Sequence, residues 1–210
     1  MASRRTLAQQ LGVVADFEDP RVDLEQYTTP PELAATIVHD ADLRSDIEDR
    51  IVVDLGAGTG MLGLAAALRG PRLVLGLELD PDALQTALAN ERRVASQTVV
   101  EWINADATQP PIAPPHTETT VLMNPPFGAQ HDNRGADRRF LTAAAELGGV
   151  SYSVHNADSR EFIEAFAADH GGTVTAAFAA ELEIDHQFAF HEADSKAIDA
   201  EVFRIEWTTQ

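Results

Sequence analysis

An apolar segment that runs directly into a glycine-rich turn restricts the fold of this chain more than any other feature. Residues 51–55 (Ile-Val-Val-Asp-Leu) are mostly β-branched and apolar, which predicts a buried strand. Residues 56–60 (Gly-Ala-Gly-Thr-Gly) follow, and residues 61–68 then predict a helix that ends before Gly70-Pro71. A strand, a glycine turn and a helix in this order let backbone approach a nucleotide-like ligand closely. The sequence therefore predicts an α/β fold with a ligand at the end of this strand.

Acidic residues stand where the next two strands are predicted to end. Residues 72–79 predict a second strand, and Glu78 lies twenty residues after Gly58, a spacing at which an acid can bind ribose hydroxyls. This pattern does not distinguish a nicotinamide dinucleotide from S-adenosylmethionine. Asp106 follows the third predicted strand, residues 99–103, where it could accept a bond from an adenine amine or simply form a turn.

The rest of the chain extends the same alternation of strands and helices. Further strands are predicted over residues 119–123, 150–155, 174–182 and 201–207, and further helices over 6–15, 31–41, 81–95, 137–147 and 159–170. The last two strands follow one another without a helix, so one strand should run antiparallel. We predict a Rossmann-like, seven-stranded, mostly parallel sheet with a C-terminal antiparallel hairpin. Residues 1–210 are expected to form a single domain, with residues 1–50 preceding a core of residues 51–210.

The fourth predicted strand ends in Asn124-Pro125-Pro126-Phe127. Each proline fixes φ and lacks an N–H group, and a residue before proline avoids helical geometry. The turn is therefore stiff and extended, and it presents an amide side chain, bare carbonyl oxygens and an aromatic ring. Such a turn suits methylation of a ring-conjugated amine. The Asn124 oxygen and the Pro125 carbonyl would accept the two N–H groups and free the lone pair, while Phe127 stacks on the ring.

Charge and cysteine content bound the environment and the chemistry. The chain has 34 Asp and Glu against 15 Lys and Arg, a net charge of −19, and Lys196 is its only lysine. This balance predicts adaptation to a high-salt cytoplasm; an ordinary acidic mesophilic protein is the alternative. The absence of cysteine excludes disulfides, cysteine–zinc sites and thiolate nucleophiles. No histidine spacing predicts a metal site and no apolar stretch has the length of a membrane span, so we expect a soluble cytoplasmic protein.

Residues 24–31 (Leu-Glu-Gln-Tyr-Thr-Thr-Pro-Pro) allow two interpretations. In the first they only begin a helix, with Thr29 as its cap and Pro31 in its first turn. In the second, Gln26, Tyr27 and Thr29 gather over a bound cofactor. Composition alone favours the first interpretation.

Taken in order, residues 54–60, Glu78, Asp106 and the Asn-Pro-Pro-Phe turn resemble the motifs of class I S-adenosylmethionine-dependent methyltransferases. Residues 24–30, 123–128 and 152–155, together with the end from Phe190-His191 to Arg204-Ile205, are similar to the methyltransferase-like protein 5 family. The resemblance extends over nearly the whole chain. It implies methylation of the N6 atom of an adenosine in small-subunit ribosomal RNA, with S-adenosylmethionine as the cofactor.

The same resemblance assigns roles to individual residues. It gives the target adenine to Asn124, Pro125, Pro126 and Phe127. It gives the cofactor to Gln26, Tyr27, Thr29, Asp54, Gly56, Ala57, Gly58, Gly60, Glu78, Asp106 and Asn124. Within that set, Asp54 and the glycines would lie near the methionine group, Glu78 would bind the ribose, and Asp106 would bind the adenine amine.

The family also works with a small zinc-binding activator protein, which the resemblance implies as a partner here. Residues 99–103 should form an outermost strand, and their apolar character is unusual for a sheet edge unless a partner covers them. The activator would cover this edge by adding a strand. One departure concerns the RNA: relatives are rich in lysine after Phe190-His191, whereas Glu192-Ala193-Asp194-Ser195-Lys196 follows here.

Three other functions stay open from the sequence. A protein glutamine-N5 methyltransferase meets the same chemical problem, but such enzymes typically have tyrosine at the position of Phe127 and lack the Glu-Gln-Tyr motif. A DNA adenine-N6 methyltransferase is the second alternative, although nothing resembles a separate target-recognition domain. The third is an inactive methyltransferase fold that only binds, and the intact Asn-Pro-Pro-Phe turn argues against it.

Overall fold

The computed structural model describes residues 3–126, 135–185 and 195–208. The helices are α1 (Arg4–Leu11), α2 (Pro31–Leu43), α3 (Met61–Ala67), α4 (Pro81–Val94), α5 (Ala136–Leu147) and α6 (Arg160–Asp169). The strands are β1 (Ile51–Leu55), β2 (Leu73–Glu78), β3 (Val100–Asn104), β4 (Thr119–Met123), β5 (Val150–Asn156), β6 (Gly172–Asp185) and β7 (Ser195–Trp207). Helices and strands therefore alternate up to the final two strands, as the sequence predicts, except that only a short 3-10 helix, His116–Glu118, separates β3 from β4.

All these strands belong to one seven-stranded sheet with the order β3-β2-β1-β4-β5-β7-β6. The neighbours from β3 to β5 pair in parallel, whereas β7 pairs antiparallel with both β5 and β6. The predicted mostly parallel sheet with a C-terminal antiparallel hairpin is confirmed. The strand order reverses between β1 and β4, and ligands of open α/β sheets bind in the crevice beside such a reversal.

Helices cover both faces of the sheet, and consecutive residues of each strand point to opposite faces. In β1, Val52 packs in the core formed with α1, α2 and α3, whereas Val53 packs in the core formed with α5. Both valines are fully buried, which explains why this parallel strand has a continuous apolar sequence rather than an alternating one. None of the described helices is long and apolar enough to cross a membrane.

The final hairpin is longer than the sequence pattern predicts. Strand β6 extends to Asp185 and β7 begins at Ser195, and these two residues pair at the outer end of the hairpin. The predicted limits of 182 and 201 are therefore wrong. The added segments pair with each other along the outer part of the hairpin.

Strand β3 forms one edge of the sheet, as predicted, but most of its apolar surface turns inward. Val100 is 8% exposed, and Trp102 donates from Nε1 to Glu91 Oε2 at 2.8 Å. The Trp102 ring lies so close to the neighbouring backbone that a Cβ added to Gly76 would approach it to 2.4 Å. Val99, just before the strand, remains 57% exposed. The apolar residues of this edge therefore serve the core more than the sequence suggests.

A buried ionic cluster joins the segment after α2 to the C-terminal half of the sheet. Asp46 accepts hydrogen bonds from the Tyr152 hydroxyl at 2.7 Å and from Arg204 Nε at 2.8 Å. Its second oxygen accepts from Arg204 Nη2 at 3.2 Å, and Arg204 also donates to Thr175 and Glu206. Each oxygen of the Asp46 carboxylate therefore has a donor, and the buried charge of Arg204 is paired.

Candidate active site

A cavity of about 270 Å³ opens at the carboxyl ends of the central strands. Its lining includes the following predicted site residues: Gln26, Tyr27, Thr29, Asp54, Gly56, Ala57, Gly58, Glu78, Asp106, Asn124 and Pro126. Pro125 is buried behind the lining, and Gly60 lies beneath Trp102 rather than on the cavity surface. Phe127 lies outside the described residues. The structure thus brings nearly the whole predicted set together, although it comes from segments almost a hundred residues apart.

The glycine turn, residues 56–60, forms the floor of this cavity. At its glycines the backbone adopts conformations that residues with side chains rarely adopt. Gly58 and Gly60 have φ angles of 54° and 91°, a region that L-residues with side chains rarely adopt. The N–H groups of Gly56 and Ala57 both donate to the Leu77 carbonyl at 2.9 Å, which fastens the turn to the end of β2. The floor is therefore rigid and bare, so backbone can approach a ligand closely.

Asp54, at the end of β1, is a buried carboxylate with few hydrogen bonds. It is 1% exposed, and Oδ2 accepts from the Gly63 N–H at the start of α3 at 2.7 Å. Burial raises the pKa of this carboxyl group to about 7, and the negative charge of Glu78 adds to the shift. Near neutral pH the group therefore lies close to its midpoint, and a cation in the cavity would favour its ionised form.

Glu78 connects the ends of β1 and β2. Its Oε2 accepts from the Gly58 N–H at 2.8 Å and its Oε1 accepts from the Asp80 N–H at 2.9 Å. Burial raises the pKa of this carboxyl group, while the backbone donors oppose that rise. Both oxygens keep a lone pair that could accept a further bond from a ligand hydroxyl group.

The segment before α2 lies over the cavity, so the second interpretation of the Gln-Tyr-Thr residues fits the structure. Gln26 donates to Asp80 Oδ2 and accepts from the Arg21 N–H, both at 2.7 Å. Tyr27 is half-buried, and burial raises the pKa of its hydroxyl group. The predicted cap is wrong: Pro30 occupies the N-cap position of α2 without any side-chain bond. The Thr29 hydroxyl is used elsewhere, as a partner of Asn124.

Asn124, directly after β4, has an amide that is only half satisfied. Its Nδ2 donates to Thr29 Oγ1 at 3.0 Å, which fixes the orientation of the amide. Its Oδ1 is buried and has no hydrogen-bond partner among the described residues. A buried amide oxygen without a donor is costly, and such exceptions in folded proteins call for an explanation.

Asp106 fits both of the roles that the sequence leaves open. Its Oδ1 accepts from the backbone N–H of Thr108 at 2.8 Å and from the Thr108 hydroxyl at 2.7 Å, which is a turn of the Asx type. The residue nevertheless lines the cavity, so a ligand amine could reach its other oxygen. Asp106 therefore shapes the turn while it remains available to a ligand.

The sequence reasoning missed two aromatic rings at the cavity. Phe140 of α5 lies against Gly56, and Phe17 lies against Gly58, where an added Cβ would approach its ring to 2.9 Å. Both residues line the cavity, as does Arg139. Phe17 had one signal in the sequence, since it is an isolated aromatic residue within an acidic, otherwise polar segment. Phe140 had none, because an apolar residue in a helix is normally a core residue.

Known proteins are similar to this chain in sequence and in fold. Residues 35–159 match the model of the family described as the methyltransferase small domain. The chain is 38% identical over 210 residues to the rRNA N(6)-adenosine-methyltransferase Mettl5 of Drosophila melanogaster, with 98% of this chain and 97% of that protein covered. The chain belongs to the METTL5 family. METTL5 of Danio rerio, also named an rRNA N(6)-adenosine-methyltransferase, is 31% identical, with 97% of this chain and 98% of that protein covered.

A solved structure is similar to this chain in fold and in sequence. The crystal structure of PH1948 from Pyrococcus horikoshii has a TM-score of 0.86 and 34% sequence identity, with 100% of both chains covered. The resemblance inferred from the ordered motifs is thereby confirmed. The protein is a methyltransferase, and its cofactor is S-adenosylmethionine.

Proposed function

We propose that this METTL5-family enzyme methylates the N6 amine of an adenosine in small-subunit ribosomal RNA. The observation that carries the proposal is the buried, unpartnered Oδ1 of Asn124, held in place by the Thr29 bond. An acceptor prepared in this way lacks only an N–H donor. The relatives are named for rRNA N6-adenosine methylation, and the exocyclic amine of adenine supplies such a donor.

The chemistry follows from two acceptors beside one amine. The N6 amine is a poor nucleophile because its lone pair is delocalised into the adenine ring. Asn124 Oδ1 and the Pro125 carbonyl would accept its two N–H groups, move the nitrogen toward tetrahedral geometry and make the lone pair available. When bound, S-adenosylmethionine would supply an electrophilic methyl group: its S–CH3 bond would break as the N6–CH3 bond forms, S-adenosylhomocysteine would be the leaving group, and the proton that becomes acidic on N6 would pass to water. We propose that Phe127 stacks on the base, so that placement rather than a protein nucleophile accounts for the rate.

The cavity fits the cofactor on structural grounds. The backbone at Gly58 has a φ of 54° that favours glycine, and it leaves no room for a side chain beside Phe17. Carboxylates stand at the ends of both β1 and β2. We propose that Asp54 and residues 56–60 hold the methionine group, Glu78 the ribose and Asp106 the adenine amine. Gln26 has both ends of its amide occupied by protein partners, so its role is to hold the segment before α2 in place.

The proposal extends to the partner protein. Among the described residues no strand pairs with the outer side of β3 at the sheet edge, and Val99 beside it is exposed. An added strand from a small zinc-binding activator would satisfy that edge. Co-expression with the activator should give a heterodimer by size-exclusion chromatography, with higher methylation activity than the isolated chain. A fully active monomer without the activator would contradict this part of the proposal.

We propose the cytoplasm of a halophilic archaeon as the setting of this reaction. The net charge of −19 would repel RNA in dilute buffer, but concentrated salt screens both partners. The segment after His191 is poor in lysine, which fits the same setting. Its residues up to 194 lie outside the described residues. In strong salt, lysine–phosphate attraction contributes less to binding.

A methyl-transfer assay in molar KCl tests the proposed function. Labelled S-adenosylmethionine would be incubated with the enzyme, with and without the activator, and with unmodified ribosomal RNA, DNA or bulk protein as the acceptor. After digestion and mass analysis, we expect the label in N6-methyladenosine from small-subunit RNA. Label in protein glutamine or in DNA adenine would show that the proposed substrate is wrong, although the proposed type of methyl transfer would stand. If tight cofactor binding were accompanied by no transfer to any acceptor even with the activator, the proposal of an active enzyme would fail.

A further inference from the structure

Residues 15–29, here called the covering segment, are fastened to the rest of the protein at both ends. At the start, the Ala15 N–H donates to Asn90 Oδ1 at 2.8 Å and the Ala15 carbonyl accepts from Asn90 Nδ2 at 2.9 Å. At the far end, Gln26 is bonded to Asp80, and Thr29 is bonded to Asn124. The segment therefore crosses the cofactor cavity as a strap with fixed ends.

Asn90 links this segment directly to the glycine turn. The same Nδ2 that bonds Ala15 also donates to the Thr59 carbonyl at 2.9 Å, and Oδ1 also accepts from Arg93 Nη1 at 3.0 Å. The side chain is completely buried within α4, and its amide has no donor left to spare. One buried amide thus sets the distance between the covering segment and the cavity floor.

Phe17 follows this fastening by two residues and lies over the floor. A Cβ on Gly58 would come within 2.9 Å of its Cζ, and the ring lines the cavity together with Asp54 and Glu78. The backbone N–H of Phe17 donates to Asp16 Oδ1 at 2.6 Å, and the Thr28 hydroxyl donates to the same oxygen. These bonds join the start of the covering segment to its end and close it into a loop. The position of the Phe17 ring is therefore set by the Asp16 bonds and by the contact with Gly58.

We propose that Phe17 is a cofactor-binding residue and that Asn90 is its positioning residue. The ring offers an apolar surface above Gly58, whose N–H is already bonded to Glu78. Because the ring already contacts Gly58, a nucleoside cofactor would lie beside the ring, along the strand ends, and would be shielded from water where it contacts Phe17. The proposal rests on the cofactor alone and not on the RNA substrate, so its test uses cofactor binding without any acceptor.

The test of Phe17 is calorimetric titration of the full chain with S-adenosylhomocysteine, which binds but transfers nothing. Phe17→Ala should raise the dissociation constant about tenfold, since a large apolar contact is lost. Phe17→Leu should raise it less, because it keeps apolar volume. Val13→Ala, which alters an exposed residue nearby, is the matched control and should bind as the wild type does. Wild-type affinity in Phe17→Ala, or equal loss in Val13→Ala, would overturn the role of Phe17.

Asn90 requires a second readout because a buried change in α4 also affects stability. Arg21 is the only Lys or Arg between Arg5 and Arg44, so tryptic cleavage after Arg21 reports on the covering segment. We expect cofactor to protect this bond in the wild type. Asn90→Asp should lose most of that protection, because a carboxylate oxygen would face the Ala15 and Thr59 carbonyls. The control Leu88→Ala, on the exposed side of the same helix, should keep it.

Both variants are compared below their melting temperatures, recorded by circular dichroism. Full protection and wild-type affinity in Asn90→Asp would remove the positioning role of Asn90, whatever the result for Phe17. Loss of protection in Leu88→Ala as well would also overturn that role, since helix destabilisation would then explain both results.

Discussion

The Asp46 cluster and the cavity at Asn124 are both buried and polar, but only the first completes its hydrogen bonds internally. Each Asp46 oxygen accepts from Arg204, and Tyr152 adds a further donor. At the cavity, Asn124 Oδ1 has no partner among the described residues, and the Asp54 carboxylate accepts a hydrogen bond from the Gly63 N–H. A protein gains stability from a completed polar network and only loses it from an incomplete one. The contrast therefore distinguishes groups that maintain the fold from groups that we propose bind a ligand.

Arg204→Met should give the largest effect and should act on stability alone. It leaves the Asp46 carboxylate buried without its cation, which costs about 3–5 kcal/mol of the free energy of unfolding. For a chain of this size the melting temperature should fall by roughly 6–20 °C. Thermal and urea unfolding would measure this change.

The double variant Asp46→Leu with Arg204→Met should recover much of that loss, because no charge then remains buried. Cofactor affinity at a temperature where each variant is folded serves as the control and should not change. If Arg204→Met kept its stability but lost cofactor binding, the separation between the two regions would be wrong.

Asn124→Ala should have the opposite profile. It removes an unpartnered acceptor and one hydrogen bond to Thr29, while the Gln26–Asp80 bond still fastens the covering segment. Stability should therefore change little, whereas methyl transfer to RNA should fall by about 10²–10³-fold. Single-turnover transfer measures the loss, and titration with S-adenosylhomocysteine checks that the cofactor affinity stays within a few-fold of the wild type. Substantial methylation by Asn124→Ala would refute the role assigned to this residue.

His155 sharpens the comparison because it is unpartnered but does not line the cavity. Its Nε2 has no partner among the described residues, and burial lowers the pKa of the imidazole to about 4. The unfolded chain binds a proton near pH 6.5, so this group makes stability rise with pH between about 4 and 6.5. The wild type should therefore lose on the order of 2 kcal/mol near pH 5 through this residue.

His155→Phe should reduce this pH dependence without affecting cofactor binding. The measurement is the difference in unfolding free energy between variant and wild type across this pH range, in which contributions from other groups such as Asp54 cancel. A loss of cofactor affinity in His155→Phe would mean that an unpartnered group outside the cavity also takes part in the site.

Asp54 should give the smallest effect, seen in the pH dependence of cofactor binding. Its raised pKa of about 7 means that the unliganded carboxyl group is partly protonated near neutrality. The cationic cofactor favours the ionised form, so the dissociation constant should rise about tenfold as pH falls from 8 to 6. Titrations in buffers of different ionisation enthalpy should show proton release on binding.

Asp54→Asn should bind more weakly but without this pH dependence. The raised pKa also makes the unliganded wild type lose stability as pH rises from about 3.8 through about 7, so Asp54→Asn should be the more stable protein above neutral pH. An unchanged pH profile in Asp54→Asn would assign the titration to another group.

The central strands could be predicted from sequence because their local patterns are strong. The limits of β1 and β4 agree with the predicted ones, since each is a short apolar run that ends at a glycine turn or an Asn-Pro-Pro turn. The cavity could be predicted for the same reason. Parallel strands place their carboxyl ends at one edge of the sheet, so Asp54, Glu78 and Asn124 had to lie near each other.

Contacts between distant parts of the chain could not be predicted. Asn90 meets Ala15 across 75 residues, and Arg204 meets Asp46 across 158 residues. Neither pair has a local pattern, because an asparagine in a helix or an arginine in a strand looks like any exposed polar residue. The packing of Trp102 was hidden in a similar way, since an apolar edge strand resembles an interface until the ring is seen turned inward.

The ring of Trp102 also restricts how this sequence can change over time. It occupies the space beside Gly76 in β2 and Gly60 in the glycine turn, where an added Cβ would come within 2.4 Å and 2.7 Å of the ring. A larger residue at position 76 can be accommodated only if position 102 carries a small residue. A small residue at position 102 leaves a cavity unless position 76 carries a larger one. Positions 76 and 102 should therefore covary among relatives, so that residue size in the edge strand follows residue size in the neighbouring strand β2.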